Sequence, residues 1–405
     1  MCGLLSFTFE QILNQVVRVA SGSPKMRELS HIRLIILLIV ALNTLDFKMQ
    51  LQDQEHLNKF QEDLDYCPQC FQSQKDTCKN LTEKLVTNSE QPSVWQNFIT
   101  LLPQRSCKRS NRLYAVHGTQ TRLLAKYFAN SKDHFNFTLN ERALKSKFLA
   151  AERLDGMQFY PLKRIDRFVD FLGTYHTNLP SLTIWLYLLV NIQPLFMPLL
   201  YSRDFLVPKT QGVCGFTIYQ EYAGQDLWHY YRENFFLKLE IAKQLLLASV
   251  KFSHGFGDYR FYITDLTADN VVYSVPENRL SFVDLDTLFV VDSKAVKYKS
   301  STHRHEYIEC PGCFAYSPDD IASYFLSDLN IYSACQFLSE DLYRDKTKGF
   351  LYPIPDWVME KYPELWKRLE HCVACPMENC SDRFGAVEKL LREIDKILKD
   401  NGNKS

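Results

Sequence analysis

The sequence predicts an α+β fold in which a small strand-rich part precedes a larger helical part, with a cysteine-marked extension in front of both. Three observations predict it. Short runs of β-forming residues lie at 112–127 and at Thr217–Glu221, the longest helix-periodic runs come later at Asn234–Phe252 and Phe384–Leu398, and cysteines cluster ahead of Arg112. At 405 residues, 46% hydrophobic, 14% aromatic and 23% charged, the chain can bury a large core, which excludes extended disorder and a fibrous architecture. Lys plus Arg and Asp plus Glu both total 47, so no global basic field holds the chain on nucleic acid or an anionic membrane. Glycine numbers only 14, about half the usual share of roughly 7%, which weighs against folds built on repeated glycine-rich turns.

Residues 1–45 read as a signal peptide or a signal anchor. Leu34–Leu42 (LIILLIVAL) is an uncharged apolar run preceded by Lys25, Arg27 and Arg33, shorter than the roughly 20 residues of a bilayer span. Met26 offers a second start that would shorten the basic region before it. Residues 46–111 form the cysteine-marked extension. Within 112–222, RLYAV and TRLLAKYF flank a turn at His117-Gly118 as a hairpin, Leu139–Leu154 is a good helix by composition, and Thr217–Glu221 is a buried strand. The uncharged stretch Asn178–Ser202 invites a membrane reading. Asn191, Gln193, Pro194 and Pro198 oppose it, because they would leave backbone groups unpaired in lipid; a helix over Ser181–Asn191 followed by a buried strand accounts for the same letters. Within 223–405, Asn234–Phe252 is a five-turn helix, Val271–Tyr273 and Leu280–Val283 are strands around a Pro-Glu-Asn turn, and the chain beyond 315 is mostly helical.

Twelve cysteines demand an explanation. Apart from Cys2, they fall in three groups (Cys67, Cys70, Cys78; Cys310, Cys313; Cys372, Cys375, Cys380) and three singles (Cys107, Cys214, Cys335). No histidine or second close pair completes a four-ligand zinc set at finger spacing, so disulfides are the expectation. The odd count outside the apolar run leaves one thiol free or bridged to a partner. Cys310-Pro-Gly-Cys313 has the spacing of a redox pair, yet no strand-to-helix pattern sets its thiol at a helix start. Asn80-Leu-Thr82 and Asn136-Phe-Thr138 are N-glycosylation acceptors, with Asn379-Cys-Ser381 and Asn403-Lys-Ser405 as weaker ones.

The chemistry concentrates in Tyr262–Asp286. Asp265 and Asn270 stand five apart in a loop after a long helix, Asn270 opens a hairpin, and Asp284 ends its second strand. That is the order of parts in a protein-kinase active site. Asp265 would orient and deprotonate an attacking hydroxyl. Asn270 and Asp284 are hard oxygen donors suited to Mg2+ or Mn2+ on the phosphates of ATP. Upstream, Ile218–Tyr231 (IYQEYAGQDLWHYY) has the build of a kinase hinge: a buried strand, the acid-aromatic pair Glu221-Tyr222, a small-residue linker at Ala223-Gly224, and a helix opening at Asp226-Leu227. The fold class is therefore a two-lobed, protein-kinase-like one, with 112–222 as the small lobe and 223–405 as the large lobe. Lys126 and Glu221 are candidate nucleotide-binding residues, Asp265 the candidate catalytic residue, and Asn270 and Asp284 the candidate metal ligands. The acidic partner of Lys126 is left between Glu141 and Glu152.

Departures from the kinase pattern are as informative. Ile263-Thr264 replaces the His-Arg before the catalytic Asp, Thr267 the Lys two residues after it, and Asp284-Leu285-Asp286 the Asp-Phe-Gly triplet. Gly118 is the sole glycine where a phosphate-covering loop has three. Asp286 is either a third oxygen ligand or a turn cap.

With those residues in hand, the chain resembles the divergent protein kinase domain family of the secretory pathway, in particular its deleted-in-autism group. The resemblance runs from Cys67, Cys70 and Cys78 through LLVNIQPLFMPLL and EYAGQDLWHYY to TDLTADN, VDLD and the DLNIYSACQ segment around Cys335, and is weakest between Phe128 and Ser181. It implies a kinase-like fold, a signal or anchor, residence in the Golgi or endoplasmic reticulum lumen with secretion as an option, and secretory or extracellular proteins, glycans or a cell-surface receptor as partners. Two functions stay open: phosphate transfer from ATP to a hydroxyl, and a pseudokinase acting as a binding module or secreted signal.

Overall fold

In a computed structural model of the chain, the residues described are 59–86, 111–115, 121–128, 140–150, 156–310, 312–375 and 382–402. The apolar run at 34–42, Met26, Cys107, Gly118, Glu152 and the glycosylation asparagines other than Asn80 lie outside them. Two compact units separate at Glu62 and Asp63; the second, Asp63–Ser405, carries the features below.

After a one-turn helix α1 (Pro68–Phe71) and α2 (Lys75–Val86), strands β1 (Asn111–Ala115) and β2 (Arg122–Tyr127) pair antiparallel as the expected hairpin. Helix α3 (Glu141–Ala150), strand β3 (Gln158–Tyr160), and helices α4 (Ile165–Tyr175), α5 (Ser181–Val190) and α6 (Gln193–Tyr201) follow. Strands β4 (Thr210–Cys214) and β5 (Thr217–Glu221) then complete a four-stranded sheet in the order β1-β2-β5-β4.

The buried strand expected after Asn191 is instead helix α6. The Asn191 side-chain oxygen accepts the Gln193 backbone N–H at 2.9 Å, and Pro194 sits in the first turn, where a missing N–H removes no helical bond. Among the described residues no single helix is long and apolar enough to cross a membrane, and α5 and α6 meet at a 100° bend.

Beyond β5 come the two-residue strand β6 (Gln225–Asp226), a 3-10 turn at Leu227–Tyr230, and α7 (Phe235–His254). A short strand and 3-10 turn thus stand where a helix was expected to open. Asn234 caps α7 by accepting the Phe236 N–H at 2.8 Å, and Gly255 ends it at a φ of 59°. Strands β7 (Tyr259–Tyr262), β8 (Val271–Ser274), β9 (Arg279–Phe282) and β10 (Phe289–Asp292) make two three-stranded sheets, β3-β10-β7 and β6-β8-β9. Next are β11 (Tyr298–His303), α8 (Pro318–Ser323), β12 (Tyr324–Ser327), α9 (Leu329–Ser339), α10 (Asp356–Lys361), α11 (Glu364–Ala374) and α12 (Arg383–Gly402). Strands therefore do not simply precede helices: β3 and β10 are far apart in sequence yet pair in parallel. A four-residue strand buried on both faces, as β7 and β10 are, shows no alternation to read.

The helical part centres on α9, nearly every residue of which is buried, packed against α7, α11 and α12. Beneath it Arg383 and Asp328, each 1% exposed, pair at 2.5 Å. Arg383 also donates to the carbonyls of Cys372, His305 and Val373. A buried pair of this kind persists only where further hydrogen bonds satisfy both groups.

The described cysteines are bridged, as the sequence led us to expect. Among the described residues, bridges with both cysteines placed join Cys67–Cys70, Cys78–Cys214, Cys310–Cys313 and Cys335–Cys372. Cys78–Cys214 ties α2 to β4. Around it Asp63 accepts the Phe216 N–H at 3.0 Å, and Gln74 accepts the Gly215 N–H at 2.8 Å while donating to the Tyr187 hydroxyl at 2.9 Å. Gly215 holds a φ of 57°, and a Cβ there would stand 2.4 Å from the Asp63 carboxylate, so the β4–β5 turn requires glycine.

Candidate functional site

Lys126 lies on β2, opposite Ile218 of β5. Alternation along β2 buries Leu123 and Ala125; Lys126 is buried as well, a placement a lysine tolerates only with partners. Its ammonium donates to Asp284 Oδ1 at 2.7 Å and to Gln193 Oε1 at 3.4 Å. Gln193 in turn donates through Nε2 to the same Asp284 oxygen at 2.9 Å. The three side chains close a ring that joins the four-stranded sheet, α6 and the end of the β8–β9 hairpin. Of the two glutamates expected as its partner, Glu141 is exposed in the first turn of α3 and Glu152 lies outside the described residues.

The loop from Ile263 to Asn270 connects β7 to β8 and is anchored at both ends. Asn330 of α9 accepts the Ile263 N–H at 2.8 Å and donates to the Phe261 carbonyl at 2.8 Å. Asn270 donates through Nδ2 to the Asp265 carboxylate at 2.8 Å and to its carbonyl at 3.0 Å. The Val283 N–H donates to the Asn270 carbonyl at 3.0 Å, so Asp284, one residue on, emerges beside Asn270. Asp265 is exposed, and Asn270 is half-buried.

Thr264, where a kinase has arginine, donates to the Thr287 carbonyl at 2.7 Å and lies 3.0 Å from its hydroxyl. A neutral bond thereby ties the Asp265 loop to the segment after Asp284. The Tyr316 ring packs against Phe289 and the cluster that includes Tyr262, and burial pushes its pKa up.

Glu221 closes β5 with its carboxylate turned to Gln211 Nε2 at 2.6 Å and Lys209 at 3.7 Å. Gly224 adopts a φ of 116°, and a Cβ there would stand 2.0 Å from the Tyr273 carbonyl oxygen. The small-residue linker is thus a tight crossing of backbones rather than slack chain. Four residues on, Trp228 donates its indole N–H to Asp269 at 2.5 Å, linking this crossing to the Asp265 loop.

The donor set suits a magnesium-bound nucleotide. Among the described residues no three His, Cys, Asp or Glu side chains group into a ready metal cage. Magnesium does not need one, since one or two protein oxygens supplemented by phosphate and water suffice. With its Nδ2 committed to Asp265, Asn270 presents its amide oxygen, and the Asp284 carboxylate is adjacent, so these two would hold the ion while Lys126 would meet phosphate.

Residues 185–375 match a family model described as the protein-kinase domain of FAM69. This part of the chain is a divergent protein-kinase-like domain. Proteins named Divergent protein kinase domain 2A are similar to the chain: the Xenopus tropicalis protein is 25% identical over 203 residues, 48% of this chain and 46% of that protein. The Homo sapiens protein is 23% identical over the same length with the same coverage. The chain spans about half the length of the curated relatives it matches. The kinase-like match takes in Gln193, Glu221, Asp265, Asn270 and Asp284, whereas Lys126 precedes it.

Sequence reasoning named the residues of this ring except Gln193. The signal was present: in an uncharged stretch that must be buried, an isolated amide needs a partner, and Gln193 is only 1% exposed. Asn330 was likewise passed over inside DLNIYSACQ.

Proposed function

We propose that this protein is a kinase-like phosphotransferase of the secretory-pathway lumen that moves the ATP γ-phosphate to a hydroxyl on a secretory or extracellular protein or a glycan. The observation that carries the reading is the buried Lys126–Asp284 pair beside the Asn270–Asp265 contact. In it, Lys126 leaves Asp284 to bind phosphate, Asn270 and Asp284 hold the ion, and Asp265, exposed and oriented by Asn270, accepts the proton of the incoming hydroxyl. Bound Mg2+ or Mn2+ would neutralise charge on the transferring phosphate. Disulfide bridges support an oxidising compartment, where the apolar run at 34–42 would direct the chain as a signal or anchor.

A second reading, a pseudokinase that binds partners without catalysis, is favoured by Thr264, which puts a neutral group where a kinase has arginine. Thermal unfolding with ATP and Mg2+, beside an Asp284→Ala variant, separates the two. Nucleotide at a hundred times its dissociation constant should stabilise the wild type by about 2.7 kcal/mol and the variant far less. No shift at millimolar nucleotide removes the enzyme reading; a shift without transfer of labelled phosphate to any hydroxyl acceptor supports the pseudokinase.

A further inference from the structure

Of the four bridges whose two cysteines are both described, three are closed to solvent. Cys67, Cys70, Cys78, Cys214, Cys335 and Cys372 are each at most 2% exposed. Cys310 is half-buried and Cys313 exposed. Thiol–disulfide exchange requires a thiolate to reach a sulfur, and among these bridges only Cys310–Cys313 offers solvent access to one.

The Cys310–Cys313 bridge does little that a stabilising bridge does. Its cysteines are three residues apart, where the loop entropy removed from the unfolded chain is smallest. The turn is also already closed by the Cys313 N–H donating to the Cys310 carbonyl at 3.0 Å. Its position, by contrast, is consequential. On one side His305 fixes the chain, its N–H donating to Asp328 at 2.7 Å and its carbonyl accepting from Arg383 at 3.1 Å. On the other, Phe314 and Tyr316 pack on the cluster of Tyr262, Phe289 and Ile321. Tyr262 of that cluster closes β7, three residues before Asp265. At the tip, Gly312 has a φ of 77° and approaches Tyr343 so closely that a Cβ would stand 2.5 Å from its hydroxyl.

We propose that Cys310–Cys313 is a dithiol-reducible site whose opening loosens residues 304–316 and, through the packing of Phe314 and Tyr316 on Tyr262, the Asp265 loop. A dithiol reductant attacks one of the two sulfurs as thiolate and expels the other cysteine as thiolate. Its second thiol then resolves the mixed disulfide, so that two electrons and two protons pass to the protein and the reductant leaves as a disulfide. The site does not depend on whether the kinase-like domain transfers phosphate.

The test titrates the oxidised full chain with dithiothreitol, traps thiols by alkylation and maps them by mass spectrometry, with hydrogen exchange on the same samples. Cys310 and Cys313 should be labelled at dithiothreitol concentrations about tenfold below those that open the buried bridges. Exchange should then quicken about tenfold at 304–316 and at 263–266, and remain unchanged in α9. The Cys310→Ser/Cys313→Ser variant should reproduce that pattern, and partial reduction of the wild type gives the same readout if the variant does not fold. Opening of this bridge together with or after the buried ones overturns the proposal, as does faster exchange confined to 306–313.

Discussion

The ion pair that joins the sheet to the hairpin end can be measured directly with Lys126→Met, Asp284→Asn and the double variant. The two side chains are 8% and 14% exposed and 2.7 Å apart. At that separation two unit charges attract by about 6 kcal/mol at an effective dielectric constant near 20. Desolvation of both ions offsets most of this attraction, so the intact pair contributes little over a neutral pair of similar size. Removing one partner alone is different, because the other charge is left buried. Each single variant should therefore lose about 3–5 kcal/mol, which at roughly 2 °C per kcal/mol for a chain of this size lowers the Tm by about 6–10 °C. The double variant should lose less than the two singles together by about 2–3 kcal/mol. Unfolding followed by circular dichroism without nucleotide gives all three values. A coupling below about 0.5 kcal/mol, the range of exposed pairs, would show that Lys126 and Asp284 do not meet and would dismantle the site built on them.

Two further outcomes follow from other parts of the fold. Cys78→Ser opens a bridge spanning 136 residues and should destabilise the domain by about 2–5 kcal/mol in urea unfolding; no change would mean that α2 is held to β4 by packing alone. His305, 3% exposed, has its pKa pushed down to about 3 by burial and then by His303 and Arg383, below the unfolded value of about 6.5. The unfolded chain thus takes up the proton first, and stability falls as pH drops from about 6.5 toward 3, by up to about 1.4 kcal/mol per pH unit. Asp328 works in the opposite sense, since burial pushes its carboxyl up to about 6. The difference between the wild-type and His305→Gln stability profiles isolates the histidine; parallel profiles would refute its burial as a neutral ring.

Local pattern revealed much of the site. The Asp265–Asn270 spacing, the hairpin that delivers Asp284 and the hinge glycine were all legible because each is set by neighbours a few residues away. The alternating strand around Lys126 was legible for the same reason. Gln193 and the β3–β10 pairing were not. Asn191 and Pro194 make α6 possible locally, but its register toward Lys126 depends on a strand some 67 residues earlier. Two short strands separated by four helices likewise carry no mutual signal in their letters.

The amino-acid sequence by itself determined the α+β composition, the oxidised cysteines and which polar residues are available for phosphate chemistry, because composition, periodicity and turn residues act over a turn or a strand. Only the tertiary structure decided that Lys126 pairs directly with Asp284 and that the neutral Gln193 shares the same carboxylate oxygen. It alone also decided that Cys310–Cys313 is open to solvent while Tyr316, beside it in the chain, packs on the Tyr262 cluster. Both outcomes depend on which buried groups must satisfy one another once distant segments share a core from which water is excluded.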